Sequence, residues 1–357
     1  MNSFKHYVPV LRWKQAEWLA LRELSDKHRN LITPLIEPTP QHFRKEKVAE
    51  LDKEINRTVD NIQKSWGLNS FFFDSHLTSH VTDEKYLLEE IFKKANEKNL
   101  AMIPVTSFSR SVDYNLILRK ILKKNNCGLC LRIDATNYKL ENMKDHIDKL
   151  CEFFNLSPEQ MDLIIDYKLI THKNEVPKLV LLCQSIPYLH MWRSFTTLSG
   201  VFPKYLSEFS VDIHYIKRED WLMWVGQLDV SLKRIPSFGD YTIQHPLFSE
   251  PPPGASPSAS IRYTIENDWL LFRGEGLNKK NSAGHAQYPA HAQLLAERNE
   301  FSGPDFSMGD LYVYDMAQRA AREEKVQNPG NPGSWIKAGI NHHLTFVATQ
   351  ISTLDVI

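Results

Sequence analysis

The chain has 357 residues, 42% apolar and 24% charged, with Lys plus Arg and Asp plus Glu both at 43. That length accommodates one large barrel with additions or two domains, and a zero net charge gives no overall field to draw the protein onto nucleic acid or an anionic membrane. No apolar run reaches the roughly 18 residues of a membrane span, and four cysteines are too few for a disulfide framework.

The opening MNSFKHYVPV lacks the basic start, apolar stretch and small-residue cleavage site of a secretory signal. The expectation is a cytoplasmic protein without a membrane partner.

From residue 1 to about 245, short apolar runs alternate with helical patterns. YVPVLRWK (7–14) precedes AEWLALREL, in which Trp18, Leu21 and Leu24 share a helical face. ITPLIEP (32–38) precedes a helix over 46–66, SFFFDS (70–75) one over 83–98, and MIPVTSF (102–108) one over 113–124. GLCLRID (128–134) precedes a helix over 141–155, and LIIDY (163–167) one over 173–184. YLHMWRS (188–194) is the seventh run, and an aromatic helix spans 217–228.

Strands alternating with helices of this length indicate parallel βαβ units. Seven units fit a closed TIM-like (β/α)8 barrel better than an open sheet. Two segments compete as the eighth strand. PSFGDYTI (236–243) keeps the spacing, and WLLFRG (269–274) has the cleaner strand composition.

The proline-rich SEPPPGASPSAS (249–260) reads as an exposed loop, after which the rhythm breaks. A strand at 269–273, a helix near 287–299, a strand at 310–314, a loop over 325–334 and a final helix over 335–352 are expected. The predicted fold is therefore α/β, a barrel over 1–245 with a C-terminal α+β cap over 246–357.

Most runs end in a charged or hydrogen-bonding residue: Arg12, Glu37, Asp74, Thr106 or Ser107, Arg132 with Asp134, Asp166 and Arg193. Parallel strands would gather these on one rim, where such folds place their chemistry. Residues two apart share a strand face, so Val8, Val10 and Arg12 point together, as do Cys130 with Arg132 and Ile164 with Asp166. Buried charge is costly unless paired or used. One reading is an ion-pair ring that closes the barrel mouth. The other is a site in which Glu37, Asp74 and Asp166 act as acid/base groups or hold a divalent metal, while Arg12, Lys14, Arg132 and Arg193 grip a phosphate.

The C-terminal region offers a second set, Asp240, Arg273 and His342, able to enter the rim from the cap. His342 and His343 are adjacent on a helix and diverge by about 100°, so only one faces a given site. No HExxH, GxSxG or Walker-type spacing occurs. The CGLC at 127–130 opens an apolar strand and reads as buried structure. Basic stretches such as RKILKKNN (119–126) read as solvated helix faces.

YVPVLRWKQAEWLALREL, ITPLIEP, GDYTIQHP, SIRYT, WLLFRG, FSMGD and AGINHHL together resemble the bacterial and phage Beta protein family. The resemblance covers nearly the whole chain. Because members occur near mobile or defence-related genes, it implies an anti-phage defence or phage-related role, and it supplies no catalytic residues.

The expected function is binding, with hydrolysis as a further step, of a small phosphate-containing ligand at the rim. The competing expectation is a non-catalytic sensor or adaptor for a phage or host protein, for which Trp221, Trp224, Trp269 and Trp335 would suit a contact surface. The neutral charge argues against a nuclease.

Overall fold

The computed structural model describes residues 4–136, 142–170, 176–228, 232–250, 254, 256–323 and 325–354, with backbone alone at 176–179. Eight parallel strands close a barrel in the order β1 (Tyr7–Arg12), β2 (Leu35–Glu37), β3 (Phe71–Phe73), β4 (Met102–Thr106), β5 (Leu129–Asp134), β6 (Met161–Leu169), β7 (Ser194–Gly200) and β9 (Ser237–Asp240), and β9 returns to β1. The register pairs Arg12 with Glu37, Arg132 with Ile164, and Pro9 with Asp240.

Period-two alternation decides the two faces. Val8, Val10, Leu35, Phe72, Val105, Cys130, Ile164, Leu198 and Tyr241 fill the barrel interior. Tyr7, Leu11, Ile36, Phe71, Leu131 and Ile165 point outward into the core shared with the helices. The helices Val48–Trp66, Glu84–Glu97, Val112–Lys124 and Met143–Phe154 stand close to the expected spans. Asp83 and Ser111 cap two of them, accepting from the Tyr86 and Tyr114 amides at 3.1 Å each.

Two expectations need correction. The seventh strand is SFTTLSG, not YLHMWRS. Tyr188 is left-handed at φ 58°, which breaks any extended run, and Trp192 is buried with its indole N–H on Pro187 O at 3.0 Å. The polar, β-branched Thr196 and Thr197 carry the strand instead. Residues 310–314 lie within the helix Met308–Arg322, where Val313, Met316 and Ala317 repeat at helical spacing and Ser307 caps the start. The eighth barrel strand is Ser237–Asp240, the candidate that keeps the spacing. The competing run forms β11 (Asp268–Gly276) in an antiparallel sheet with β10 (Ser258–Thr264) and β8 (Ile213–Lys217).

β8 went unread in the sequence. It leaves the barrel between β7 and β9, pairs with β11 from Lys217↔Asp268 to Ile213↔Phe272, and becomes an edge of the cap sheet. The cap has its own core of Ile261, Tyr263, Leu270, Phe272, Tyr288 and Trp335. The four tryptophans considered for a contact surface are all buried.

The closing helix Pro332–Ser352 joins the layers. Ile340, Leu344 and Val347 pack into the barrel core, and Trp335 into the cap core. Asn341 donates to Ala20 O at 2.9 Å and accepts from Gly309 N at 2.9 Å, tying a barrel helix to a cap helix. At Gly309 a Cβ would collide with the Ala338 carbonyl, so the crossing of these two helices needs glycine. All four cysteines are free. Among the described residues no helix is long and apolar enough to cross a membrane.

Candidate functional site

The inward-facing ends of β1, β2, β5 and β6, with Asp74 just beyond β3, meet at the C-terminal mouth as the sequence predicts. Arg132 stands at the centre. Its Nη1 donates to Glu37 Oε1 at 2.6 Å and to Asp74 Oδ2 at 2.8 Å. Its Nε donates to Asp166 Oδ2 at 2.9 Å, and its Nη2 to the Tyr241 hydroxyl at 2.9 Å. Tyr241 in turn donates to Asp166 Oδ2 at 2.7 Å. All five groups are buried.

Burial costs a guanidinium several kcal/mol, which is offset only when its donors are satisfied. Here Tyr241 and three carboxylates surround Arg132 and hold it protonated, its pKa well above the ordinary value despite burial. Burial alone would raise Asp74, but the guanidiniums of Arg110 and Arg132 overcome it and hold the carboxyl well below the usual range. Asp166 is likewise lowered against burial, by Lys168 and Arg132. These two carboxylates stay ionised and suit charge placement better than proton transfer.

Two cations complete the rim. Arg110, in the loop after β4, pairs with Asp74 and, at 3.0 Å, with Glu84. Lys168 sits at φ 54°, a left-handed turn at the end of β6 that brings its Nζ back to Asp166 Oδ2 at 2.7 Å and to the Tyr241 hydroxyl at 3.3 Å. Arg12 lies 3.8 Å from Glu37, donates to Pro246 O, and keeps a buried Nε without a hydrogen bond.

Above this network is a cavity of about 300 Å3 lined by Asp74, His76, Ser107, Arg110, Arg132 and Lys168, among others. A second cavity of about 680 Å3 adjoins it over Arg12, Glu37, Leu77, Leu247 and Phe248, and His76, Asp134 and Lys168 line both. His76 is exposed at this junction. Burial of its ring lowers its pKa, Asp74 pulls against that, and the result stays below the ordinary histidine value. A neutral imidazole there can accept a proton. Its backbone N–H caps Asp74 Oδ1 at 3.0 Å.

Glu37, Asp74, Asp166, Arg12 and Arg132 therefore come together, and Lys14 flanks them with its Nζ 5.5 Å from the Phe248 ring. Four predicted residues do not join the rim. Arg193 precedes β7, so it stands at the opposite end of the barrel, where it binds Asp162. Asp240 faces outward and holds His343 at 2.9 Å and Tyr7 at 2.5 Å. His342 is buried in the cap, with Nδ1 2.8 Å from Asp310 Oδ2, Nε2 2.7 Å from Thr264 O, and its ring stacked on Tyr263. Arg273 points its Nε at Leu206 O, 2.8 Å away.

Tyr241, Lys168, Arg110 and His76 went unread. Only Lys168 and His76 carried a signal, each standing two residues past a predicted rim carboxylate. Among the three carboxylates, which the sequence offers as acid/base groups or metal ligands, a guanidinium sits, and no group of three or more His, Cys, Asp or Glu among the described residues is placed to hold a metal.

No curated protein matches the sequence. The model of the Beta protein family matches residues 7–349, nearly the whole chain and both layers of the fold. The protein described here, barrel, rim and cap together, belongs to the Beta protein family.

Proposed function

We propose that this protein binds a small phosphate-containing ligand at the C-terminal rim of its barrel, in an anti-phage defence or phage-related role. The observation that carries the reading is the cavity of about 300 Å3 with Arg110, Arg132, Lys168 and the Ser107 hydroxyl on its walls. Its size falls at the lower end of small-molecule sites, roughly 300–1,000 Å3. The carboxylates behind the cations balance much of their charge, so selectivity rests on placed donors more than on net field. Arg132 is fully engaged below. Contact therefore falls to Lys168, the edge of Arg110 and the Ser107 hydroxyl. The defence role rests only on what the family resemblance implies, and neither the rim nor the cap bears on it.

Hydrolysis is the finer step of this reading. His76 is the mouth residue suited to take a proton from an attacking water, because it is neutral and exposed. The saturation of Glu37, Asp74 and Asp166 by Arg132 weighs against that step and favours a ligand bound without turnover, whereas the alternative of a sensor or adaptor for a phage or host protein is left without its tryptophan surface, all four tryptophans being buried.

Native mass spectrometry of the purified protein tests the site. A phosphate-bearing small molecule should copurify and be lost in Lys168→Ala, while a thermal melt shows that variant still folded, Asp166 keeping Arg132 and Tyr241. Phosphate release that disappears in His76→Ala separates an enzyme from a sensor. If no phosphorylated compound copurifies or raises the melting temperature, the proposal fails.

A further inference from the structure

We infer that the ligand of the rim is a nucleotide, with its phosphate beside Arg110 and Lys168 and its base against Phe248 in the adjoining cavity. The inference rests on the phosphate reading above and adds the other half of the ligand. The two cavities share His76, Asp134 and Lys168, so one mouth serves both. Both walls mix charged and apolar groups: the smaller gathers Arg110, Arg132, Lys168 and Ser107 with carboxylates and Phe108, and the larger adds an aromatic ring, Phe248, with Leu247 and Leu77 beside Arg12 and Glu37.

Phe248 is a half-buried ring held by two cations, Arg12 at 5.4 Å and Lys14 at 5.5 Å from its centroid. Leu247 beside it is 49% exposed. An apolar ledge next to ionic groups is covered at little cost by a planar, weakly polar ring. A bare phosphate or a phosphosugar would leave that ledge wet. A nucleotide has an anion at one end and an aromatic face at the other, which matches Arg110 and Lys168 in one cavity and Phe248 with Leu247 in the other.

Calorimetric titration of the full-length protein with pyrophosphate, adenosine, AMP, ADP and GMP tests this. At least one nucleotide should bind about tenfold or more tighter than pyrophosphate, which is within the range of stacking one base on one ring. Phe248→Ala should remove that advantage and leave pyrophosphate affinity unchanged, and Phe248→Trp should keep it. A thermal melt of each variant confirms folding. If pyrophosphate binds as well as every nucleotide and Phe248→Ala changes neither, the nucleotide inference is overturned and the phosphate site stands. If neither pyrophosphate nor any nucleotide binds, both are overturned.

Discussion

Asp240 and Tyr241 are sequence neighbours that face opposite sides of the barrel wall and serve different layers. Asp240 accepts from Tyr7 at 2.5 Å and pairs with His343 at 2.9 Å, binding the barrel to the closing helix. Tyr241 points inward and joins Arg132, Asp166 and Lys168 at the rim. One short strand thus couples the docking of the cap to the geometry of the site.

Removing the outward member should loosen the docking. Burial keeps His343 below its ordinary pKa despite Asp240, and the ring has one nitrogen on Asp240 and the other 2.7 Å from the Thr264 hydroxyl. Asp240→Leu leaves Tyr7 and His343 buried without that partner, at roughly 1–3 kcal/mol for each group. Tyr241→Phe removes one hydroxyl from a network that keeps its charged members, and should cost less. Urea denaturation of both variants gives the order; equal losses would mean that β9 does not separate the two roles.

Breaking the Arg132 network should be among the most damaging changes in the chain. Asp166→Asn removes a buried charge that faces both Arg132 and Lys168. Loss of one partner of a buried pair costs about 3–5 kcal/mol. Arg132→Met should be worse, because it strands Glu37, Asp74 and Asp166 together. A loss below about 1 kcal/mol for Asp166→Asn would show that these charges are not interdependent.

Much of this network was legible because strand alternation is a strong rule. Val8–Val10–Arg12 and Ile164–Asp166 could only place the charge at the end of an inward stack. The rest depended on information outside each strand. The sequence points to Asp240 and passes over Tyr241 because a four-residue strand carries no alternation of its own, and its register comes from β1 and β7. Arg193 was misplaced because the apolar run before β7 buries Trp192 in a turn, while the true strand is polar. Lys168 reaches the rim through a left-handed turn that no pattern announces, and Arg110 through a loop. β8 was hidden because its partner lies about fifty residues downstream.

Asp220 should give the protein an unusual pH dependence. Burial and the neighbouring Asp240 push its carboxyl up to about 7, against the pull of Arg218. Its folded value lies above the unfolded one, so the native state keeps an extra proton between about pH 4 and 7. That stabilisation is fully present below about pH 4 and is lost as the pH rises through 7. Asp74 and Asp166 are shifted the other way, so their contribution is present above about pH 4 and is lost on acidification below it. Melting temperatures across pH 4–8 should fall more steeply for the wild type than for Asp220→Asn. Parallel curves would count against a shifted Asp220.

The path of β8 makes the barrel non-portable. A chain stopped near residue 245 would still contain Ile213–Lys217 but would lose β11, to which five of its residues are paired. The orphaned strand would present open backbone donors and acceptors, a template for joining other chains. Truncation after the barrel, in the laboratory or by a nonsense mutation, should therefore yield an aggregation-prone fragment instead of a smaller working protein.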